Sequence, residues 1–426
     1  MRILIVGQGA REHAIAWRLA QNPTVDRLFA APGNAGIAEV ATCEPISAAD
    51  VPGIADFVER EDIDLTVVGP EAPLVAGLVD ELESGGRWAF GPTATAARIE
   101  GSKAWAKELC RKYAIPAPRS EVFAEFDAAR EYVRELDPPF VIKADGLAAG
   151  KGVTVTEDRE TAVGALEAIL VDRIFGEAGS RVLVEEFLEG EEISAMAVTD
   201  GRLVVPLALS QDFKRVGDGD MGPNTGGMGA YSPVSFVDRA TVDRITSSVL
   251  ERAIRGLQAE GIRYQGVLYA GLMLTAEGPK VLEFNCRFGD PETEAILPRL
   301  DSDLGEVVLA SLEGNLSNYR VHWNPQACVV VVLTSGGYPG EYKTGFEIDG
   351  LKDAGSLKDV FVYHAGTAAR DGRVVTAGGR VLAVSALGST LEDARERAYE
   401  ACGLISFEGM HYRTDIAKRA AGSAVG

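Results

Sequence analysis

The chain has 426 residues, which is enough for roughly two to four domains that each bury a hydrophobic core. Its 46% hydrophobic and 25% charged residues are typical of a globular protein, and its formal net charge of -21 argues against a nucleic-acid-binding surface. Five separated cysteines without a CxxC pair argue against disulfides and a zinc site, and no apolar run is long enough to span a membrane. We therefore expect a cytoplasmic protein that binds neither nucleic acid nor membrane.

The N-terminal segment alternates predicted strands with predicted helices. Buried parallel strands are predicted by the apolar runs at residues 3–6, 28–31 and 65–68. The turn Gly7-Gln8-Gly9 leads from the first strand into a predicted helix over residues 11–20. This alternation predicts a doubly wound α/β domain over residues 1–101.

The turn after the first strand suggests a dinucleotide site, but two features argue against one. Glu12 stands where the third glycine of the dinucleotide fingerprint would lie, and the second strand ends in Ala31-Pro32 without an acid for a ribose. A small phosphorylated ligand at the strand ends and a tight turn without any ligand both remain open.

A glycine-rich segment lies between two short apolar runs in the second predicted domain, residues 102–326. The segment and its ends contain Lys143, Gly146, Gly150, Lys151 and Gly152. Backbone N–H groups of glycines can surround an anion, and an ammonium at the end of a buried strand is costly without a negative partner. The segment therefore predicts a phosphate site, although its spacing is not that of a Walker A loop. A hairpin with a solvated lysine at its tip is the alternative.

The residues around this hairpin form a unit that is small for a free-standing domain. Predicted helices flank the hairpin and a strand at 181–185 follows, so we expect a lid over about residues 120–188. Glu185-Glu186-Phe187-Leu188 comes next, followed by Glu192. Backbone groups and a carboxylate in this stretch could meet an adenosine, or the stretch could be an acidic turn.

Two later segments carry further candidate chemistry. The glycine-rich polar loop over residues 211–231 is too long for a simple connector, which favours a functional role. On the predicted strand that follows residue 280, Glu283, Asn285 and Arg287 share one face. Two oxygen donors and a guanidinium fit a hard cation such as Mg²⁺ and the phosphates that it bridges. A solvated polar face on a half-buried strand is the alternative.

The last predicted domain covers residues 327–426. Strands are predicted at residues 328–333, 360–364 and 380–385, and a helix follows from 390 to about 401. No residue type or spacing in this domain indicates catalysis. We interpret His364 and His411 as structural.

Five motifs together resemble the glycinamide ribonucleotide synthetase family of the ATP-grasp superfamily. They are Gly-Ala-Arg-Glu-His at 9–13, Val-Gly-Pro-Glu-Ala-Pro-Leu at 68–74, Ile-Lys-Ala-Asp-Gly-Leu-Ala-Ala-Gly-Lys-Gly at 142–152, Gly-Pro-Asn-Thr-Gly-Gly-Met-Gly-Ala-Tyr at 222–231 and Glu-Phe-Asn-Cys-Arg-Phe-Gly-Asp-Pro-Glu at 283–292. The resemblance covers nearly the whole chain. It implies an α/β fold with an N-terminal doubly wound domain, an ATP-grasp body with a mobile lid, and a small C-terminal mixed α/β domain.

The resemblance also implies roles for individual residues. Lys143 and Arg287 would be catalytic, and Glu283 and Asn285 would bind Mg²⁺ or Mn²⁺. ATP would be bound by Lys103, Lys143, Gly146, Gly150, Lys151, Gly152, Glu185, Glu186, Phe187, Leu188 and Glu192. The other substrates would be bound by Gly9, Glu71, Asp212, Lys214, Asn224, Gly226, Gly227, Arg287 and Asp290. Phe213 stands where the family implies a histidine.

The implied reaction joins glycine to 5-phosphoribosylamine through a glycyl phosphate, with ATP as co-substrate and without an obligatory protein partner. A biotin-carboxylase-like ligase with a different acceptor is one alternative, and the loop at 224–231 argues against it. A non-catalytic nucleotide-binding protein is the other. Loss of Lys143, Glu283 or Asn285 would favour that alternative, and all three are present.

Overall fold

A computed structural model of the chain describes residues 1–147 and 152–421. Gly150 and Lys151, both expected to bind ATP, lie outside these ranges. Within them, the strands form four sheets of four or five strands and two separate hairpins. No helix in the same ranges is both long enough and apolar enough to cross a membrane.

The N-terminal sheet is parallel, with the strand order β3-β2-β1-β4-β5. The bounds of this part are β1 Arg2–Gly7, α1 Ala10–Leu19, β2 Arg27–Pro32, β3 Thr42–Cys43, α2 Val51–Arg60, β4 Leu65–Val68, α3 Glu71–Val75, α4 Leu78–Ser84, β5 Trp88–Phe90 and α5 Ala94–Gly101. The three predicted strands are β1, β2 and β4, and all are buried except at their ends. The predicted doubly wound α/β arrangement is confirmed.

A second sheet is antiparallel and has the order β6-β9-β7-β8. After helix α6 (Lys103–Lys112), the bounds are β6 Ser120–Phe123, α7 Phe126–Glu135, β7 Phe140–Ala144, β8 Val153–Thr156, α8 Arg159–Leu170 and β9 Val182–Glu185. Alternate residues of β7 and β9, such as Ile142 and Val184, pack with α7 and α8 in a separate apolar core. The opposite face therefore carries Lys143 and Glu185 towards the rest of the molecule.

A third, antiparallel sheet has the order β11-β10-β16-β17. Its strands and the neighbouring helices are β10 Glu191–Thr199, β11 Val204–Pro206, α9 Arg239–Ile245, α10 Glu251–Ala259, β16 Gly266–Thr275 and β17 Gly278–Asn285. Residues 246–250 form a π-helical segment that joins α9 to α10. Strand β17 bulges at Leu282, because Gly271 pairs with Glu283 whereas Leu272 pairs with Val281.

The fourth sheet combines two distant parts of the chain in the order β12-β15-β18-β22-β19. The remaining bounds are β12 Gln211–Asp212, β13 Arg215–Gly217, β14 Met221–Asn224, β15 Gly229–Ser232, α11 Glu292–Ile296, α12 Leu304–Leu312, β18 Ala327–Thr334, α13 Leu351–Gly355, β19 Val360–His364, β20 Thr367–Arg370, β21 Arg373–Thr376, β22 Arg380–Gly388, α14 Leu391–Leu404 and α15 Lys418–Ala421.

The segment at 211–231 is thus not the irregular loop that its composition suggested. Its strand β15 pairs with β12 and with the apolar strand β18, from Gly229 opposite Val331 to Ser232 opposite Cys328. Strands β13 and β14 between them form a small hairpin. The glycine-rich segment is therefore part of the C-terminal sheet at both its ends.

Candidate active site

A cleft of about 510 Å³ lies where the parallel sheet, the bulged strand β17 and the C-terminal sheet meet. It gathers ten of the residues that the sequence predicts to bind ATP, metal or substrate. These are Glu71, Lys103, Gly152, Asp212, Lys214, Gly226, Glu283, Asn285, Arg287 and Asp290. The residues come from segments that are far apart in the sequence, so folding brings them together.

Lys143 reaches this cleft through a chain of buried charges. Its Nζ lies 2.7 Å from Glu185 Oε2 and donates to the carbonyl oxygen of Leu282, 3.2 Å away in the β17 bulge. Lys107 Nζ lies 3.1 Å from the other oxygen of Glu185 and donates to the carbonyls of Val281 and Leu282. Burial alone would raise the pKa of Glu185, but the two lysines hold it below its ordinary value.

Lys103 stands at the first turn of α6 with its ammonium available to an anion. Ser102 caps this helix by accepting from the amide of Trp105, and Asp145 accepts from the amide of Ala104. The Nζ of Lys103 donates to the carbonyl of Gly146 at 3.0 Å, and no carboxylate of the described residues pairs with it. Burial lowers the pKa of Lys103, while the charge of Glu283 opposes the shift.

Glu283 and Asn285 point into the cleft from the end of β17, as predicted. Within the described residues, the Glu283 carboxylate forms no hydrogen bond or ion pair. Burial would raise the pKa of this carboxyl group, but the charges of Lys214, Lys143 and Lys103 hold it below its ordinary value. Asn285 Oδ1 accepts from Arg287 Nη2 at 3.1 Å and keeps a second lone pair. These two oxygens fit a hard divalent cation that takes its other ligands from phosphates and water.

Arg287 lies two residues beyond the end of β17, rather than on the strand. Its guanidinium is held by Glu71 at 3.3 Å and by Glu100 at 3.1 Å. Burial raises the pKa of Glu100, whereas Arg287 and Arg11 lower that of Glu71 against the effect of burial. Two carboxylates and Asn285 therefore fix the direction in which this arginine faces the cleft.

Asp212 and Lys214 form a second charged cluster on the opposite wall. Lys214 pairs with Glu192 and lies 3.5 Å from Asp212 Oδ2. Asp212 Oδ1 is buried and has no hydrogen-bond donor. Burial raises the pKa of Asp212 to about 7, and the carboxylates of Glu292 and Glu192 add to the rise against the pull of Lys214. Among the described residues, Asp212 Oδ1 is thus the atom of this cluster that lacks a hydrogen-bond donor.

The N-terminus of α1 holds a carboxylate of the protein itself. Glu12 Oε2 accepts from the amide of Gly9 at 2.6 Å, and its side chain lies against Gly7, Gly9 and Gly69. A Cβ on Gly69 would lie 2.1 Å from Glu12 Oε1, so a side chain there would displace Glu12. This carboxylate stands where a dinucleotide fingerprint would hold phosphate. Gly9 itself does not line the cleft.

Several other predicted residues also lie outside the cleft. Glu185, Glu186 and Phe187 line a larger groove of about 1240 Å³ on the outer side of α6. Leu188 is buried, and Gly227 packs against Pro291, where a Cβ would lie 2.3 Å from the ring. Asn224 ends strand β14.

The sequence did not single out several cleft residues that the structure places there. They are Arg11, Glu100, Lys107, Tyr269, Glu292, Tyr338 and Arg380. Tyr338 and Arg380 belong to the domain in which no chemistry was expected. The Tyr338 hydroxyl accepts from the amide of Gly226, and Arg380 Nη1 lies 3.0 Å from Asp290 Oδ1. The glycine-rich run around Tyr338 was the one feature of the sequence that could have indicated a functional role in this domain.

The fold and the cleft define a protein of the ATP-grasp class. A biotin carboxylase from Campylobacter jejuni has the same fold, with a TM-score of 0.72 at 15% identity over 98% of this chain and 98% of that chain. Sequence models of the phosphoribosylglycinamide synthetase family match in three parts: the N domain over residues 1–100, the ATP-grasp (A) domain over 101–293 and the C domain over 328–419. The chain belongs to this family.

Curated relatives and a solved structure agree with this assignment. A phosphoribosylamine–glycine ligase from Pseudomonas aeruginosa is 50% identical over 424 residues, which is 99% of this chain and 98% of that protein. One from Caldanaerobacter subterraneus subsp. tengcongensis is 49% identical over 417 residues, or 98% of this chain and 99% of that protein. The crystal structure of the Thermotoga maritima ligase has a TM-score of 0.86 at 37% identity, over 98% of this chain and 100% of that chain.

Proposed function

We infer that this chain is an ATP-dependent ligase that joins glycine to 5-phosphoribosylamine and releases glycinamide ribonucleotide, ADP and phosphate in purine biosynthesis. Relatives at about half identity, which match almost end to end, carry the name of this activity. The observation that carries the inference is one cleft with cations for phosphates, two oxygens for a metal and a fixed arginine. These are Lys103, Glu283, Asn285 and Arg287, with Lys143 beside them.

The ATP site that we propose lies between the bulged strand and the lid over residues 120–188. Lys103 and Lys143 would neutralise the phosphate chain, and backbone N–H groups of Gly146 and Gly152 would assist them. Glu185, Glu186, Phe187 and Leu188 would border the adenosine, and Glu192 would meet the ribose. Glu185 supports this role indirectly, because its carboxylate is committed to Lys143 and Lys107.

We propose that Glu283 and Asn285 hold Mg²⁺ or Mn²⁺ at the phosphates. Their oxygens are of the type that both ions accept, and an ion held by two protein ligands would complete its shell with phosphate and water. When bound, the ion would offset negative charge on the transferring phosphoryl group. Lys103, Lys143 and Arg287 would act on the same charge from the protein.

The proposed reaction has two steps. A carboxylate oxygen of glycine attacks the γ-phosphorus of ATP, the bond from that phosphorus to the β-γ bridging oxygen breaks, and ADP leaves. The amine nitrogen of phosphoribosylamine then attacks the carbonyl carbon of the glycyl phosphate, and the bond from that carbon to the phosphate oxygen breaks. Phosphate leaves and the nitrogen loses a proton. Arg287 would orient the glycine carboxylate in the first step and the carbonyl group of the glycyl phosphate in the second.

Asp212 is the residue that we assign to the ammonium group of glycine. Its Oδ1 is buried without a donor in a cluster rich in carboxylates, and the ammonium supplies both a donor and a positive charge. Lys214 and Gly226, which line the cleft, would border the ribosylamine on the same wall, and Asn224 and Gly227 would support this segment from outside the cleft. Glu71 and Asp290 would close the cleft from the N-terminal side, whereas Gly9 lies outside its lining.

The experiment is to incubate the purified protein with ATP, Mg²⁺, glycine and freshly generated phosphoribosylamine, and to measure ADP. ADP should form only when glycine and the amine are both present. Glycine labelled with ¹⁸O in its carboxylate should deliver one labelled oxygen to phosphate per turnover. Pyrophosphate among the products, or label in AMP, would contradict the proposal.

Two further assignments belong to the proposal. The domain boundaries would be 1–101, 102–326 and 327–426, with the lid inside the second domain. The enzyme would act on small molecules in the cytoplasm, where ATP is supplied, and would need no obligatory protein partner.

A further inference from the structure

The residues just before the last helix hold the hairpin that follows Lys214. Arg413 has 1% of its surface exposed although it carries a full charge. Its Nε and Nη2 donate to the two oxygens of Asp415, both at 2.8 Å, and Nη1 donates to Asp220 at 2.9 Å and to the carbonyl of Arg215 at 3.1 Å. Every nitrogen of the guanidinium is therefore committed to a fixed direction.

Arg413 also packs over Phe213, the residue that precedes Lys214. Its guanidinium carbon lies 5.1 Å from the centre of the Phe213 ring, which places the charge over an aromatic face. Lys214 is thus fixed at both neighbours, by the ring of Phe213 and by the carbonyl of Arg215. Its own side chain points into the cleft, to Glu192 and Asp212.

Neighbouring residues of the same segment add three contacts to the hairpin. The amide of Thr414 donates to Asp218 at 2.8 Å, Asp415 Oδ2 accepts from the amide of Gly219 at 2.8 Å, and His411 Nε2 lies 3.0 Å from the carbonyl of Val216. We call residues 411–415 the C-terminal clamp. Its partners lie almost two hundred positions earlier in the chain, at residues 213–220.

We propose that Arg413 is a positioning residue for Lys214, and that the C-terminal clamp sets the acceptor side of the active site. The proposal rests on the function inferred above, because it assigns Lys214 to the glycine and amine side. A buried, fully bonded arginine holds backbone direction better than a lysine could, because its planar fork fixes several bonds at once. Phe213 then serves as the surface on which that fork rests.

The test compares Arg413→Met with Arg397→Met in the full-length protein. Arg397 also bonds a backbone carbonyl and a carboxylate in the C-terminal part, at Leu387 and Asp359, but it does not touch the hairpin. We expect Arg413→Met to lower kcat/KM for glycine and phosphoribosylamine by about 100-fold, since displacements near 1 Å have effects of this size. Binding of ATP with Mg²⁺, measured by calorimetry, should be unchanged in both variants.

Milder variants keep the test decisive if Arg413→Met does not fold. Asp218→Ala removes the bond to Thr414 from an exposed position, and we expect roughly a tenfold loss of kcat/KM for the acceptor substrates. Arg413→Lys should lose more than Asp218→Ala, because one ammonium cannot replace the fork. The proposal would be overturned if these variants had the same kcat/KM for the acceptor substrates as wild type, or if Arg397→Met lost as much kcat/KM as they do. It would also be overturned if ATP binding weakened in proportion to the lost turnover.

Hydrogen exchange separates failure of this proposal from failure of the proposed function. The amides of Phe213 and Met228 bond across the segment, to Gly229 and Phe213. Their exchange should be faster in Arg413→Met, and this holds whatever reaction the enzyme catalyses. Unchanged exchange would overturn the clamp, whereas wild-type protein without glycine-dependent ADP formation would overturn the function alone.

Discussion

Replacing Lys107 should lower the free energy of unfolding far more than replacing another lysine of the same helix. Lys107 is buried, pairs with Glu185 at 3.1 Å and donates to two carbonyls of the β17 bulge. Lys107→Met keeps most of the side-chain volume but leaves Glu185 with Lys143 as its one positive partner among the described residues. Breaking a buried pair from one side costs about 3–5 kcal/mol, and the remaining lysine places the expected loss near 3 kcal/mol.

Urea denaturation should report this loss as a midpoint roughly 1 M lower, given the usual dependence of unfolding free energy on urea. The matched control is Lys112→Met, also on α6, because Lys112 pairs with Glu260 at the surface. Its midpoint should stay close to that of wild type, since exposed pairs contribute little. In addition, Lys107→Met should weaken binding of ATP, because Lys143 would then neutralise Glu185 without help from Lys107 and would be less available to a phosphate.

A double-mutant cycle tests the cause of the effect. In the double variant Lys107→Met/Glu185→Gln, the buried charge that lost its partner is itself removed. The double variant should therefore lose less unfolding free energy than the two single variants lose in total. Simple additivity would refute the reasoning, and so would equal midpoints for Lys107→Met and Lys112→Met.

Three further outcomes are expected. Asp212→Asn should raise the KM for glycine and leave ATP binding unchanged, because the amide cannot neutralise an ammonium; an unchanged KM would contradict this role. Glu283→Gln should lower turnover by at least about 100-fold at saturating Mg²⁺ while thermal unfolding stays the same, and near wild-type turnover would exclude it as a metal ligand. Burial lowers the pKa of His13 to about 3 and of His364 to about 4. Histidine in the unfolded chain binds a proton below about pH 6.5, whereas the folded protein keeps these two neutral. As the pH is lowered from 6.5 to 4, the free energy of unfolding should therefore fall by up to about 1.4 kcal/mol per pH unit for each histidine. His13→Gln should reduce that slope, and a slope equal to wild type would contradict the burial argument.

The sequence predicted the elements whose cause is local. Strand β4 has the predicted bounds because a short, mostly apolar run precedes a Gly-Pro turn. Helix α14 begins at Leu391, directly after its N-cap Thr390, whose side chain accepts from the amide of Asp393. The face shared by Glu283 and Asn285 followed from strand periodicity. The parts with local signals were therefore open to prediction.

Contacts between distant segments were not predictable in this way. The sequence predicts a loop where strand β15 lies, because its partner β18 is far along the chain and nothing near Gly229 indicates that pairing. The carboxylates that fix Arg287 come from α3 and α5, and the bulge at Leu282 has no signature in its residues. Lys107 resembles any helical lysine until the fold buries it beside Glu185.

The fourth sheet, in which β15 pairs with β18, has a consequence for folding during synthesis. Ser232 leaves the ribosome well before Cys328, its neighbour across the sheet, and at usual translation rates the delay is on the order of ten seconds. During that time β15 presents unpaired N–H and C=O groups, with the buried side chains of Met228 and Tyr231 uncovered. A nascent chain stalled in this interval, or a fragment that ends before β18, exposes an edge that other strands can pair with. Synthesis beyond residue 334 closes that edge.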